Sequence, residues 1–212
     1  MSHTSSATAD SRSVFVVHGR NLAAKEAMFM FLRALGLRPI EWEQAVSATG
    51  KGAPFIGEVL NAGFNIPQAV VVILTGDDLG RLRPELQKQD DPPSEKNPTL
   101  QPRLNVVFET GMALAWFSER TILVEIGKTK SFSDIAGRHV LKFQGKPEDR
   151  NKLRMRLRTA GCDIDEHSGS WLTAGDFAKA LQTRQPFPGL PSMVPLPISS
   201  TPPLSRLPGN QK

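Results

Sequence analysis

The sequence predicts an α/β fold with helices on both faces of an open, five-stranded parallel sheet of the flavodoxin-like kind. Short apolar segments alternate with segments of helical spacing between residues 13 and 160. One of them, 69–74 (AVVVIL), is apolar throughout, which is typical of a strand covered on both faces. Glycine and polar residues follow these segments, as expected where such a sheet binds a ligand.

The predicted elements follow one another in strand and helix order. The run 13–17 (SVFVV) is the first strand, and Asn21 caps a helix that ends at Gly36. The later elements are a strand over 38–42, a helix from Pro54 through residue 63, the strand over 69–74, a helix over 104–118, strands over 121–126 and 139–142, and a helix over 147–160. The α/β domain is therefore expected to span 13–165.

Both ends of the chain differ in composition from this domain. Residues 1–12 lack an apolar signal-peptide segment and predict a disordered N-terminus. Eight of the 17 prolines lie in 185–212, which predicts a disordered or polyproline-like tail. This tail is either a solvated end or a docking segment for a partner. Between domain and tail, 166–184 predicts a helical extension in which Trp171 and Asp176 have structural roles.

Composition argues against several classes of function. Because no apolar run is long enough to cross a membrane, we expect a cytoplasmic protein without membrane contacts. The net charge of +5 is mild and the basic residues are spread along the chain, so nucleic-acid binding is not expected. One cysteine and four histidines without ligand spacing predict no metal site. Cys162 is interpreted as a small buried filler rather than a nucleophile.

Polar and glycine residues gather at the sheet edge where parallel sheets bind ligands. They are His18 to Asn21 after the first strand, Glu43 and Gln44 with SATGKGAP after the second, and Thr75 to Asp78 after the third. The glycines match neither the phosphate loop GxxxxGK[ST] nor the dinucleotide fingerprint GxGxxG. Lys51, between two glycines, belongs either to a cationic flap over an anionic ligand or to an ordinary solvated loop.

Glu109 is the charged residue that most needs an explanation. It is the only charged residue in LNVVFETGMALAW, a helix that is apolar nearly all round and is therefore expected to be buried. An ionised carboxylate there needs a partner or a cavity. It either forms a salt bridge, with Arg103, Arg20 or Lys51 as candidates, or stabilises a cationic sugar carbon as a catalytic group.

The catalytic interpretation fits NAD⁺, whose nicotinamide leaves as a neutral base and needs no general acid. An ordinary glycosidase would need a second carboxylate, for which the candidates are Glu43, Asp77 and Asp78. The 27-residue segment 77–103 joins the third strand to the Glu109 helix and contains five prolines. Long loops of this kind are lids, binding loops or disordered, so we expect it to lie over the site, and gating of access is one hypothesis for its role.

Eight stretches of the sequence match one family in order and spacing: VFVVHGRN, LRALGLRPIEWEQA, PFIGEVL, AVVVILTGDD, QPRLNVVFETGMALA, RTILVEIG, FSDIAGRHV and LRTAGCDID. Over 13–165 the chain resembles the bacterial TIR-like domain, a predicted nucleotide-binding domain, of CBASS and Pycsar antiphage effectors. RLNVVFETG is similar to the family's most specific signature, Arg-x-Asn-(apolar)-x-Phe-Glu-x-Gly.

The resemblance implies a TIR fold that hydrolyses NAD⁺ to nicotinamide and ADP-ribose, or to a cyclic variant, with Glu109 as the catalytic residue. The resemblance further implies that His18, Gly19, Arg20 and Asn21 line the nucleotide pocket, with Trp42 to Gln44 near it. From their positions after the strands, Lys51 and Asp77 are also expected to bind substrate, with Arg20 or Lys51 on the pyrophosphate. No metal or other cofactor is expected, since NAD⁺ is the substrate.

Family members fused to a sensor domain become active when that domain binds a cyclic nucleotide and the TIR domains stack, forming composite NAD sites. The 47 residues after 165 do not fit such a sensor, so a sensor or regulatory protein is expected to act in trans. The leading hypothesis is an NAD⁺ glycohydrolase that self-association activates. The alternative is a non-catalytic module that binds a nucleotide or assembles through TIR contacts.

Overall fold

The computed structural model describes residues 10–54, 58–59, 67–130, 139–165 and 167–182. Its elements, in chain order, are β1 (Asp10–Val17), α1 (Leu22–Ala34), β2 (Arg38–Ile40), α2 (Trp42–Ala48), β3 (Pro67–Leu74), β4 (Asp78–Gly80), a 3₁₀ turn (Pro84–Leu86), α3 (Pro93–Lys96), β5 (Thr99–Gln101), α4 (Leu104–Phe117), a 3₁₀ turn (Ser118–Arg120), β6 (Thr121–Ile126), β7 (Leu141–Phe143), α5 (Pro147–Thr159), a 3₁₀ turn (Gly169–Leu172) and α6 (Phe177–Gln182).

Five parallel strands form the main sheet in the order β2-β1-β3-β6-β7. The predicted flavodoxin-like α/β fold is therefore confirmed. Strand β3 lies at the centre, and its residues 69–74 are all buried, as their apolar run predicts. The direction of strand addition reverses between β1 and β3, and the ligand crevice of an open parallel sheet lies at such a point.

Helices cover both faces of this sheet. Helices α1, α5 and α6 pack on one face, where Phe31 and Phe143 are buried, and α2 and α4 pack on the other through Ala45 and Val106. Cys162 is buried beside α5, and this burial raises the pKa of its thiol to about 12, which agrees with the interpretation as a filler.

The structure corrects two predicted boundaries near the N-terminus. Strand β1 begins at Asp10, so 10–12 do not belong to the predicted disordered end; the Asp10 carboxylate accepts hydrogen bonds from the Arg12 amide and the Ser13 hydroxyl. The second strand ends at Ile40 rather than at residue 42, because Glu41 caps α2. The helix predicted from Pro54 lies largely outside the described residues, as do 1–9 and the tail 185–212.

The segment 77–103 contains regular structure, contrary to the prediction of a structureless loop. Strands β4 and β5 pair antiparallel, and the Leu100 side chain packs so closely on Gly76 that a Cβ there would lie 2.7 Å from that of Leu100. Lys130 Nζ lies 2.8 Å from Glu95 Oε2, which joins the segment to the loop after β6. These contacts anchor the segment, and its gating role stays a prediction.

The extension predicted over 166–184 forms a 3₁₀ turn and the short helix α6 rather than one helix. No helix within the described ranges is both long enough and apolar enough to span a bilayer.

Candidate functional site

A cleft of about 360 Å³ opens at the carboxyl end of β1, between the start of α2 and the first turns of α4. Its apolar wall is formed by residues 15–17 of β1. Around this wall lie His18, Gly19, Arg20 and Trp42, and α4 contributes Arg103, Asn105, Val106 and Glu109. The prediction that polar residues after the strands share one edge therefore holds for the loop after β1.

Glu109 reaches the cleft because of its position on α4. Asn105 and Glu109 are one helical turn apart and line the cleft together, whereas Thr110 and Ala113 are buried beneath the helix. The carboxylate is partly buried, and this burial raises its pKa from 4.5 to about 7. Glu109 is thus a carboxylic acid that can change charge near neutral pH.

The salt bridge considered for Glu109 does not form among the described residues. No ion pair there includes Glu109, and the Lys51 ammonium pairs with Glu58 instead. Arg20 and Arg103 line the same cleft without forming an ion pair with it. The site consequently contains a carboxylate that burial perturbs and that a cationic ligand could compensate.

The loop after β1 is fixed by two hydrogen bonds. His18 Nδ1 donates to the Gly19 carbonyl oxygen over 2.9 Å, which leaves Nε2 as an acceptor when the ring is neutral. The Arg20 amide donates to Asp77 Oδ2 over 2.6 Å. Asp77 therefore supports the cleft loop, although its own side chain is not among the residues that line the cleft.

Trp42 stands at the rim as the first residue of α2. Glu41 caps the helix through a capping box with Gln44, in which each side chain accepts a hydrogen bond from the backbone of the other residue. Lys25 Nζ lies 3.2 Å from Glu41 Oε2 and ties the cap to α1. These contacts hold the indole of Trp42 beside the cleft, with 36% of the residue exposed.

Besides Asp77, two further predicted substrate-binding residues lie outside the cleft lining. Asn21 caps α1, because its Oδ1 accepts a hydrogen bond from the Ala24 amide over 3.0 Å. The sequence predicted this capping role. Lys51 is exposed and paired with Glu58. In place of Lys51 the cleft contains Arg103 and Asn105, which were not among the predicted site residues although both lie in RLNVVFETG.

One face of α4 is exposed, contrary to the prediction that this helix is buried all round. Leu104 is 73% exposed, Phe108 64% and Trp116 49%. Leu104 and Phe108 are one turn apart and neighbour the cleft residues Asn105 and Glu109 along the helix. We call these three exposed residues the α4 apolar face.

The described residues contain no group of three or more His, Cys, Asp or Glu side chains placed to hold a metal ion. No curated protein matches the chain. A family model, described as the TIR domain of CAP12/Pycsar effector proteins, matches residues 13–145, which include most of β1, all of α4 and the whole cleft. The match covers more than half of the chain, so the protein belongs to the family of CAP12/Pycsar effector TIR domains.

Proposed function

We propose that this TIR-type antiphage effector domain is an NAD⁺ glycohydrolase that releases nicotinamide and ADP-ribose, in linear or cyclic form. The observation that carries the proposal is the Glu109 carboxylate: it lines a cleft of about 360 Å³, its pKa is raised by burial, and no ion pair among the described residues includes it. Such a group is costly to keep ionised unless the ligand brings a positive charge.

NAD⁺ brings that charge. The bond between ribose C1′ and the nicotinamide nitrogen breaks, its electron pair stays on the nitrogen, and nicotinamide leaves as a neutral base. Positive charge then develops at C1′, and ionised Glu109 stabilises it at close range in a cleft with an apolar wall. Water captures C1′ and loses a proton to give linear ADP-ribose, whereas attack by an adenine nitrogen gives the cyclic product.

Other cleft residues support binding of the nucleotide. The Trp42 indole offers a flat apolar surface on which a nicotinamide or adenine ring can stack. Arg20 and Arg103 bring two guanidinium groups to the same cleft, and guanidinium groups bind pyrophosphate oxygens through paired hydrogen bonds. His18 Nε2 and Asn105 offer further polar groups for ribose hydroxyls.

Self-association is part of this proposal. The α4 apolar face exposes large side chains directly beside the cleft residues of the same helix, where a second copy would cover the open side of the site and exclude water. A sensor or regulatory protein that acts in trans would then control activity by bringing copies together. In this role NAD⁺ depletion is the output of the defence system.

The test measures nicotinamide release from NAD⁺ by the purified full chain at low and high protein concentration. We compare the wild type with Glu109→Gln and, as a matched control, with Glu119→Gln, which removes an exposed carboxylate just beyond the end of α4. Release that rises more than linearly with concentration, falls by about 10²-fold or more in Glu109→Gln and persists in Glu119→Gln supports the proposal. Full release by Glu109→Gln contradicts the catalytic role.

The second candidate is a non-catalytic module that binds a nucleotide and assembles, which the α4 apolar face favours. Two observations would support it together: NAD⁺ binds to the assembled wild-type protein, and no nicotinamide is released at any concentration, including in the presence of a crowding agent that promotes assembly. Glu109 would then be expected to affect only binding.

A further inference from the structure

Residues 167–182 lie beyond the region that matches the family model, yet they are built into the domain. Phe177 is buried and packs edge-on against Phe143 and Phe31, with ring centroids 4.7 and 6.5 Å apart. Gly175 approaches α1 so closely that a Cβ there would lie 2.2 Å from the Ala27 carbonyl oxygen. The segment is therefore part of the hydrophobic core on the α1 side of the sheet.

Arg150 fastens this segment to α5. Arg150 is 4% exposed, and its guanidinium donates hydrogen bonds to the carbonyl oxygens of Gly145, Trp171, Ala174 and Gly175. Three of these four acceptors belong to the segment 167–182. Because a buried guanidinium is stable only when its donors are satisfied, Arg150 and the segment depend on each other.

The other end of the segment contacts the residue that follows the cleft loop. Asn21 Nδ2 donates to the Ala180 carbonyl oxygen over 3.1 Å, while Asn21 Oδ1 caps α1. The preceding residues, His18 to Arg20, line the cleft. The loop is thus held from two sides, by Asp77 at the Arg20 amide and by Ala180 through Asn21.

We propose that residues 167–182 are a supporting part of the nucleotide cleft: the Ala180 carbonyl, acting through Asn21, fixes the loop His18 to Arg20, so that the working unit extends to Gln182. Asn21 and Arg150 are positioning residues in this arrangement. The inference rests on the proposed NAD⁺ site, and its first readout below does not depend on NAD⁺ cleavage.

The first experiment replaces Asn21 by serine in the full chain. Serine retains a capping oxygen for α1 but loses the amide donor to Ala180. Hydrogen exchange should become faster at the amides of residues 18–20 by about fivefold or more, while the melting temperature stays close to the wild type. Asn151→Ser, which makes the same change on the exposed surface of α5, is the control and should leave exchange in that loop unchanged.

The second experiment replaces Arg150 by lysine, which keeps the charge and loses the fork of donors. The rate of amide hydrogen exchange should rise in residues 169–176, which lose their anchor, and also in residues 18–20, which the segment supports. Faster exchange in 169–176 with none in 18–20 would overturn the inference, as would unchanged exchange of 18–20 in a folded Asn21→Ser protein.

Steady-state kinetics separate positioning from the chemistry. Asn21→Ser should raise KM for NAD⁺ about fivefold or more with a smaller change in kcat, because the loop binds substrate and Glu109 lies on another element. A fall in kcat of about fivefold or more at unchanged KM would contradict a positioning role. If the wild type releases no nicotinamide, the proposed function fails, while the exchange measurements still decide whether the segment holds the loop.

Discussion

The Asp77 carboxylate occupies the space in which a side chain on Gly19 would begin. A Cβ on residue 19 would lie 1.7 Å from Asp77 Oδ2 and 2.9 Å from its Cγ. This close approach allows Oδ2 to accept the hydrogen bond from the Arg20 amide. Glycine is favoured here by the space that the Asp77 side chain takes rather than by backbone conformation, since the Gly19 backbone does not adopt a positive φ.

Gly19→Ala should therefore destabilise the protein, and removal of the Asp77 side chain should reduce that effect. We expect Gly19→Ala alone to lower the free energy of unfolding by about 1–3 kcal/mol, because the carboxylate must move and its hydrogen bond is lost. In an Asp77→Ala background, Gly19→Ala should lower the free energy of unfolding by clearly less. Urea unfolding of the two single variants and the double variant measures this coupling, and strictly additive effects would contradict the steric explanation.

The activity should depend on pH through Glu109. Because burial raises its pKa to about 7, kcat/KM should rise about tenfold per pH unit below pH 7 and level off above it, as the carboxylate ionises. In the complex, the positive charge of bound NAD⁺ favours the ionised form, so the inflection of kcat should lie at lower pH. Initial rates between pH 5 and 9 check both statements; a kcat/KM that is constant across this range contradicts them.

The same ionisation should lower stability at alkaline pH. The pKa of Glu109 is higher in the folded protein than its ordinary value of 4.5, so the folded state binds more protons and stability falls as the pH rises from about 4.5 to about 7. Glu109→Gln removes this penalty. Its melting temperature should exceed that of the wild type by a few degrees at pH 8 and match it at pH 5. A difference of the same size at both pH values would point to packing instead.

Trp42 should contribute mainly to nucleotide affinity. Trp42→Ala is expected to weaken NAD⁺ binding to the Glu109→Gln protein by about tenfold or more, because a stacking surface is lost, and Trp42→Phe should retain most of the affinity. Isothermal titration calorimetry gives the dissociation constants, and quenching of tryptophan emission provides an internal check. Quenching on binding should disappear in Trp42→Phe and persist in Trp116→Phe; the opposite pattern would place the nucleotide elsewhere.

The α4 apolar face should be needed for assembly. Phe108→Lys is expected to weaken self-association by at least about tenfold, since large central side chains dominate interface energies, and to remove the concentration dependence of NAD⁺ cleavage. Met155→Lys places the same charge on an exposed apolar side chain of α5 and is the control. Sedimentation velocity over a range of concentrations compares them. Equal self-association of the two variants would exclude this face as the interface.

The sequence predicted those parts of the fold in which burial and periodicity agree. The continuous apolar run of β3 and the cap at Asn21 are confirmed because each depends on local chemistry that tertiary structure does not alter. Helix α2 was missed because the residues 38–42 have the apolar alternation of a strand, while the capping box at Glu41 and Gln44 turns the chain into a helix. Strands β4 and β5 are three residues each, too short for a periodic signal.

The site was predicted less completely than the fold. Glu109 and the loop after β1 line the same cleft, as expected. The loop was predicted from its position at the sheet edge, and Glu109 from being the one charged residue in an apolar helix. Asn105 was missed, and Arg103 was predicted only as a salt-bridge candidate for Glu109, because the roles of both depend on which face of α4 turns to β1. The exposure of Phe108 was also missed. When a helix is apolar on every face, its sequence does not indicate which of those faces the rest of the protein covers.

The burial of Cys162 makes the protein its own reporter of opening. It is the chain's single cysteine, and with a pKa of about 12 and 6% exposure its thiol is almost unreactive while the domain stays closed. Cys162 belongs to the core cluster on the α1 and α5 side of the sheet and borders a surface cavity, so an alkylating reagent gains full access to its thiol when this region opens locally. When reclosing is faster than alkylation, the labelling rate at neutral pH reports the equilibrium free energy of this opening, and the variants described above can be ranked by it without an added probe.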